Sequence, residues 1–219
     1  MLYPLNSSNF TLLSHLKPNT MSTWNQCYKF AWLFSLLCVS MLSILSCENR
    51  PKDSKEAAQE MNKPNSDYTK ESDERFMVRA AEINLEEIKL GQLAQQKGSI
   101  AEVRDLGKMM EEAHTKVNND LHGLASQKGI AIPLEPTKDA MDAYNNLNEK
   151  SGNDFDKEFC NKMVKGHKDA IDLYDNATKG NNDPDVKAWA SRILPDLRVH
   201  LAQAQSCDDK LQQLAEKTK

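Results

Sequence analysis

Four stretches of the chain repeat apolar residues at alternating steps of three and four, the inward seam of a packed helix. The first runs from about Asp73 to Lys97 and carries Phe76, Ala80, Ile83, Glu87, Leu90 and Ala94. The second, from about Ser99 to Lys128, carries Val103, Leu106, Met110, His114, Val117, Leu121 and Leu124. The third, from about Asp154 to Lys179, carries Cys160, Met163, His167, Ala170, Tyr174 and Ala177. The fourth, from about Asp185 to Glu216, carries Val186, Ala190, Ile193, Leu197, His200, Ala204, Cys207, Leu211 and Leu214. Turn residues punctuate them at Gly98-Ser99 and at Gly180-Asn181-Asn182-Asp183-Pro184. Between the second and third stripes, Pro133, Pro136 and Gly152 mark a long connection, within which Thr137 to Leu147 has the pattern of a short helix. No strand-like alternation is evident. The pattern predicts an all-α fold: an antiparallel four-helix bundle of two hairpins joined by a long connection.

Each stripe holds one polar residue where a core residue belongs: Glu87, His114, His167 and His200. Burying such a group without a partner costs several kcal/mol. Counted from the first turn, Glu87 lies about 12 residues before it and His114 about 15 after it. Counted from the last turn, His167 lies about 15 residues before its centre and His200 about 18 after it. At ~1.5 Å per residue, all four lie roughly 20–27 Å from a turn. The long connection starts and ends at the far side, so both turns are expected to point the same way and the four residues can share one layer.

One carboxylate and three imidazoles in one layer point to two kinds of chemistry. They can ligate a single metal ion, and nitrogen-rich ligation suits Zn, Fe, Ni or Cu rather than Ca or Mg. They can also form a hydrogen-bonded network without an ion, which would fix helix register. Glu111 precedes His114 by three, the Glu-x-x-His spacing of di-iron bundles. A di-iron site needs that spacing twice, yet Val164 and Leu197 stand three residues before His167 and His200. A di-iron oxidase is therefore the weakest of these readings. Met110 and Met163 each precede a histidine by four, so thioether ligation is a variant and core filling the plainer role. Pro195, one turn before His200, is expected to kink the fourth helix. His122 reads as surface and Tyr174 as core. There is no Gly-x-Ser-x-Gly, no His-Glu-x-x-His and no phosphate-binding glycine loop, so an enzyme activity would rest wholly on the metal.

Trp32 to Ser46 is apolar, follows Lys29 and ends in Ile44-Leu45-Ser46-Cys47 before Glu48-Asn49-Arg50. This is the pattern of a bacterial lipoprotein signal peptide, whose cleavage would leave Cys47 as a lipidated N-terminus. Residues 1–47 would then be leader, with Met21 as the natural start, and the protein would be exported and lipid-anchored facing the periplasm. An uncleaved anchor is the alternative, although the run is short for a span. Glu48 to about Ser72 is rich in charged and polar residues and reads as a disordered tether, leaving 73–219 as the folded domain. Removing Lys17 and Lys29 with the leader takes the basic residues from 28 to 26 against 32 acidic, a net charge near −6. With no basic stripe, nucleic-acid binding is not expected. The remaining cysteines, Cys160 and Cys207, share the index sum of His167 and His200, so they face each other across an antiparallel pair. In an oxidising periplasm that predicts a disulfide closing a loop of about 46 residues and contributing roughly 3–4 kcal/mol, with two buried free thiols as the alternative.

Phe76 to Ala94, Met110 with His114, Asn153-Asp154-Phe155-Asp156, Met163 with His167, and Leu194-Pro195 before His200 resemble the exported bacterial family called domain of unknown function 4142. The resemblance covers about Asp73 to Gln213. It implies a ferritin-like bundle and a lipid-anchored outer-membrane protein, with Glu87, His114, His167 and His200 at the family's recurrent Glu and His positions. That family often has Asp before the second-helix and third-helix histidines, where this chain has Ala113 and Gly166. The resemblance implies no reaction. Two functions remain open: a binding or envelope-stress module with one Zn, Fe or Cu ion, or a structural or partner-binding lipoprotein with a metal-free polar core. Neither names a protein partner.

Overall fold

The computed structural model of the protein describes residues 53–62 and 68–217, all within one unit spanning Pro51–Lys219. Leader, lipidation site and Met21 lie outside the described residues. The elements are α1 (Ser54–Met61), α2 (Tyr68–Lys97), α3 (Ala101–Lys128), α4 (Lys138–Asn148), α5 (Gly152–Lys179) and α6 (Pro184–Lys217). The four long helices fall where the apolar stripes put them, and α4 occupies the predicted short helix. No described helix is long and apolar enough to cross a membrane.

Local chemistry sets the helix ends. The Thr137 hydroxyl accepts from Ala140 N at 3.3 Å and starts α4. Gly129 ends α3 in the left-handed region at φ 61°, which glycine adopts without a Cβ penalty. Arg104 reaches back across the α2–α3 turn and donates to Gly98 O at 2.7 Å. Pro195 sits inside α6 without ending it.

The helices form an antiparallel square of the ferritin-like type, in which α2–α3 and α5–α6 are the hairpins and the seams are α2–α5 and α3–α6. Two apolar clusters fill the interior. One gathers Phe76, Leu121, Tyr174, Trp189 and Ile193; the other gathers Leu90, Met110, Phe155, Phe159, Met163 and Leu211. Burying each such side chain contributes roughly 1.5–3 kcal/mol. Phe76 meets Tyr174 edge-on at 5.1 Å, and Tyr174 meets Trp189 at 5.6 Å. Between α2 and α3 the closest approach is glycine on glycine. A Cβ on Gly91 would stand 2.5 Å from Gly107 O, and one on Gly107 would stand 2.7 Å from Gly91 O.

The hairpin turns do not point the same way, which corrects the arrangement inferred from the sequence. The Phe76 cluster holds the start of α2, the end of α3, the end of α5 and the start of α6. Polar ties agree with this. Asp73, at the start of α2, accepts from Asn182 Nδ2 at 2.9 Å and Asp183 N at 3.0 Å, while Lys128 pairs with Asp183 at 2.7 Å. At the opposite end, fully buried Asp156 on α5 accepts from Ser99 N at 2.9 Å and from the Ser99 hydroxyl. The connection from Gly129 to Ser151 therefore runs the length of the bundle, with α4 lying against α2 and α5. The physical reason is chain length: more than twenty residues including a helix can span the bundle, so the count allowed either direction.

Part of the stretch that composition assigned to a disordered tether is ordered. Asp53 caps α1 by accepting from Lys55 N at 2.9 Å, and its other oxygen accepts from Lys138 N. Asn62 exchanges two 2.8 Å hydrogen bonds with the backbone of Ala131. Lys55 pairs with buried Glu82 of α2 at 2.8 Å. These polar partners lie far along the chain, so a composition-based reading could not count them. The bundle itself begins at Tyr68 rather than Asp73.

Candidate metal centre

The layer between the two apolar clusters is polar and buried. Glu87 from α2, His114 from α3, His167 from α5 and His200 from α6 are 3%, 1%, 0% and 8% exposed. The three imidazoles stand in a near-equilateral triangle, with ring centres 5.4, 5.4 and 5.5 Å apart. One nitrogen from each lies within 4.8 Å of the others, so this buried group can hold a metal ion.

Two of the rings are held by groups that only accept from them. His114 Nδ1 lies 2.9 Å from Asn84 Oδ1, and His167 Nδ1 lies 2.9 Å from Met163 O. A carbonyl oxygen takes a proton, so each Nδ1 carries the hydrogen and each Nε2 is left with its lone pair. Those two Nε2 atoms are 3.4 Å apart. The Glu87 Oε2 oxygen is 2.7 Å from His114 Nε2. Glu87 Oε1 is 3.4 Å from His167 Nδ1, whose proton already serves Met163 O. Among the described residues, neither Glu87 oxygen nor His200 Nδ1 has a hydrogen-bond partner. The short Oε2–Nε2 contact is thus an approach of two acceptors as the Asn84 amide is oriented, and a cation or a shared proton between them is what would make it favourable.

Burial disfavours a charge on His167 and His200, while the surrounding imidazoles favour the ionised form of Glu87. Burial pushes His200 down to about 4, helped by His114 and His167. Burial also lowers His167, with Glu87 opposing. For Glu87 burial works toward the neutral acid, but the imidazoles of His114, His167 and His200 together outweigh it and hold the carboxyl below its ordinary range. Neutral imidazole and ionised carboxylate are the ligating forms of both groups.

The other predicted residues stay outside the layer. Glu111 faces the α2–α3 surface and accepts from Gln92 Nε2 at 2.8 Å and Gln95 Nε2 at 2.6 Å, so it is not a ligand candidate. Met110 and Met163 are buried in the Leu90 cluster, and what Met163 gives the site is its backbone carbonyl. Tyr174 is core as expected, and His122 is half-buried. Cys160 and Cys207 face each other as the index sum requires, but the disulfide expected from the sequence is not formed. Both thiols are free and buried, with Sγ atoms 2.7 Å apart in a hydrogen bond. That separation exceeds the ~2.05 Å of a disulfide bond. The shared hydrogen, then burial, push the Cys160 thiol far up.

Sequence reasoning missed Asn84, and it noted Gly166 only as a position without the family's Asp. Asn84 stands one turn before Glu87 and is 2% exposed; its signal is a lone Asn beside an apolar seam. Gly166 stands against the carboxylate, where a Cβ would come within 3.0 Å of Glu87 Oε1.

No curated protein matches the chain. Among solved structures, the crystal structure of a DUF305 fragment from Deinococcus radiodurans is similar, with a TM-score of 0.56 at 13% identity over 64% of this chain and 96% of that one. At that identity the likeness speaks for the helical fold alone. Residues 57–207 match the family described as Domain of unknown function (DUF4142), and since this is more than half of the chain, the protein belongs to that family.

Proposed function

We propose that the protein binds one transition-metal ion of the Zn, Fe or Cu class, with Glu87, His114, His167 and His200 as ligands. The observation that carries this reading is the convergence of two Nε2 lone pairs 3.4 Å apart. With metal–nitrogen bonds of ~2.0–2.1 Å, neighbouring ligands of a tetrahedral ion stand about 3.3 Å apart. That pair has the spacing of two ligands on one ion, and Asn84 and Met163 O hold the rings as hydrogen-bond acceptors commonly hold metal-bound histidines. The reading is of a binding module, with no reaction assigned.

Elemental analysis of the purified protein, beside a His114→Ala/His167→Ala variant, tests it. Near-stoichiometric metal lost in the variant is expected. Absence of metal from both, with none taken up from added Zn, Fe or Cu, would refute it. A second reading rests on the 2.7 Å Glu87–His114 contact: a proton on His114 Nε2 would make a buried ion pair that fixes register without an ion. The same analysis separates the two.

The leader-like run ending at Cys47 supports an anchored, envelope-facing protein, with the bundle held near a membrane by lipid. Labelled fatty acid should enter the wild-type protein and be lost in Cys47→Ala. Equal label in both would remove the anchor from this reading.

A further inference from the structure

The two seams between hairpins lie on opposite sides of the square, and both open toward the polar layer. On the α3–α6 side a cavity of about 310 Å³ reaches His200 beside Ala113. On the α2–α5 side a cleft of about 280 Å³ reaches Glu87, walled by Glu86, Lys162 and Gly166. Gly166 decides how far this cleft extends. With no side chain there, the space continues to within van der Waals reach of Glu87 Oε1, where a Cβ would stand 3.0 Å away.

Three basic and three acidic side chains line the α2–α5 cleft, so what distinguishes it is where its carboxylates stand rather than its net charge. Two of its basic side chains are already engaged: Lys165 with Asp169 at 2.7 Å, and Arg79 with Glu82 at 3.1 Å. Glu86 makes no ion pair among the described residues, and its carboxylate lines the cleft next to the Glu87 floor. The opposite cavity ends on an imidazole rather than a carboxylate, with Lys116, Asp120, Arg192 and Asp196 in its lining and Arg192 paired with Asp120 at 3.9 Å. A hydrated cation moving inward must exchange water for protein oxygen before it meets nitrogen. The α2–α5 cleft offers two carboxylates in succession for that exchange.

We propose that the α2–α5 cleft is the port through which the metal ion reaches and leaves the centre, with Glu86 as the first carboxylate it meets and the Gly166 gap leaving Glu87 approachable. This rests on the metal-binding reading above. The port sets the rate of exchange, and the four ligands set the affinity.

Stopped-flow uptake of Co²⁺ by the chelator-treated full chain, followed by the visible d–d bands of the bound ion, tests it together with chelator-driven release. Lys162→Trp fills the mouth without touching a ligand. It is expected to slow uptake and release by the same factor, roughly tenfold, and to leave the equilibrium affinity unchanged. Gly166→Leu should slow both steps as well, with a change in affinity because it crowds Glu87. Glu86→Gln should slow uptake most at low salt. Ala113→Leu, in the opposite seam, should leave both rates as in wild type. Wild-type rates in Lys162→Trp with its helical circular dichroism intact, or slowing confined to Ala113→Leu, would overturn the port while leaving the centre in place. No cobalt spectrum in the wild-type protein would overturn the centre and the port with it.

Discussion

A neutral, buried His200 carries a pH dependence whose sign and size follow from its surroundings. Burial, with His114 and His167 beside it, takes its pKa from an ordinary 6.5 to about 4. Between those values the unfolded chain binds a proton at His200 that the folded chain refuses, so stability falls as pH falls through this window. Each pH unit of difference is worth ~1.4 kcal/mol, which makes the full effect about 3 kcal/mol, complete near pH 4 and absent above the unfolded value. His167, also lowered by burial, acts in the same direction. Glu87, held below the ordinary 4.5, contributes stability above that value and loses it only as pH falls through its folded pKa, below most of this window. The variant His200→Gln removes one titrating ring, so the difference between wild type and variant isolates it. Urea midpoints from far-ultraviolet circular dichroism, taken on chelator-treated protein from pH 7.5 to 4, should show wild type losing about 3 kcal/mol more than the variant. A difference that stays flat with pH would mean that His200 accepts its proton while folded. The layer would then be a charged imidazolium–carboxylate cluster, and the argument from convergent lone pairs would fail.

Replacing Asn84 with Leu removes the acceptor that fixes the His114 tautomer, and should weaken metal affinity by roughly 10–100-fold; calorimetric titration giving the wild-type Kd would refute that role. Gly107→Ala places a methyl 2.7 Å from the Gly91 carbonyl and should cost ~1–3 kcal/mol, whereas Gly123→Ala, in open space on the same helix, should add about 0.5–1 kcal/mol. Urea midpoints moving together in the two variants would refute the close α2–α3 crossing. Buried and sharing a hydrogen, Cys160 and Cys207 should resist iodoacetamide in the folded protein and react fully on unfolding without reductant. Two unreactive sulfurs after unfolding would mean a disulfide.

The layer was legible from sequence although the direction of the hairpins was not, and both facts have one cause. His114, His167 and His200 sit near the middles of the spans Ala101–Lys128, Gly152–Lys179 and Pro184–Lys217, and Glu87 lies past the middle of Tyr68–Lys97. A residue near the middle of a helix keeps its level when that helix is turned end for end. The four side chains therefore share a layer whichever way α5–α6 points, and an incorrect topology still predicted the right cluster. Direction is set instead by contacts that no periodicity encodes: Asp73 with the 180–183 turn, Asp156 with Ser99, and Lys128 with Asp183. The same division explains α1. Its ordering depends on Asp53 and Asn62 meeting the 131–138 backbone, so its polar composition, read alone, argued for a tether. Apolar period places a residue at a depth and a level. Its orientation belongs to single polar partners such as Asn84 and the Met163 carbonyl, and these turn His114 and His167 so that their Nε2 atoms approach to 3.4 Å.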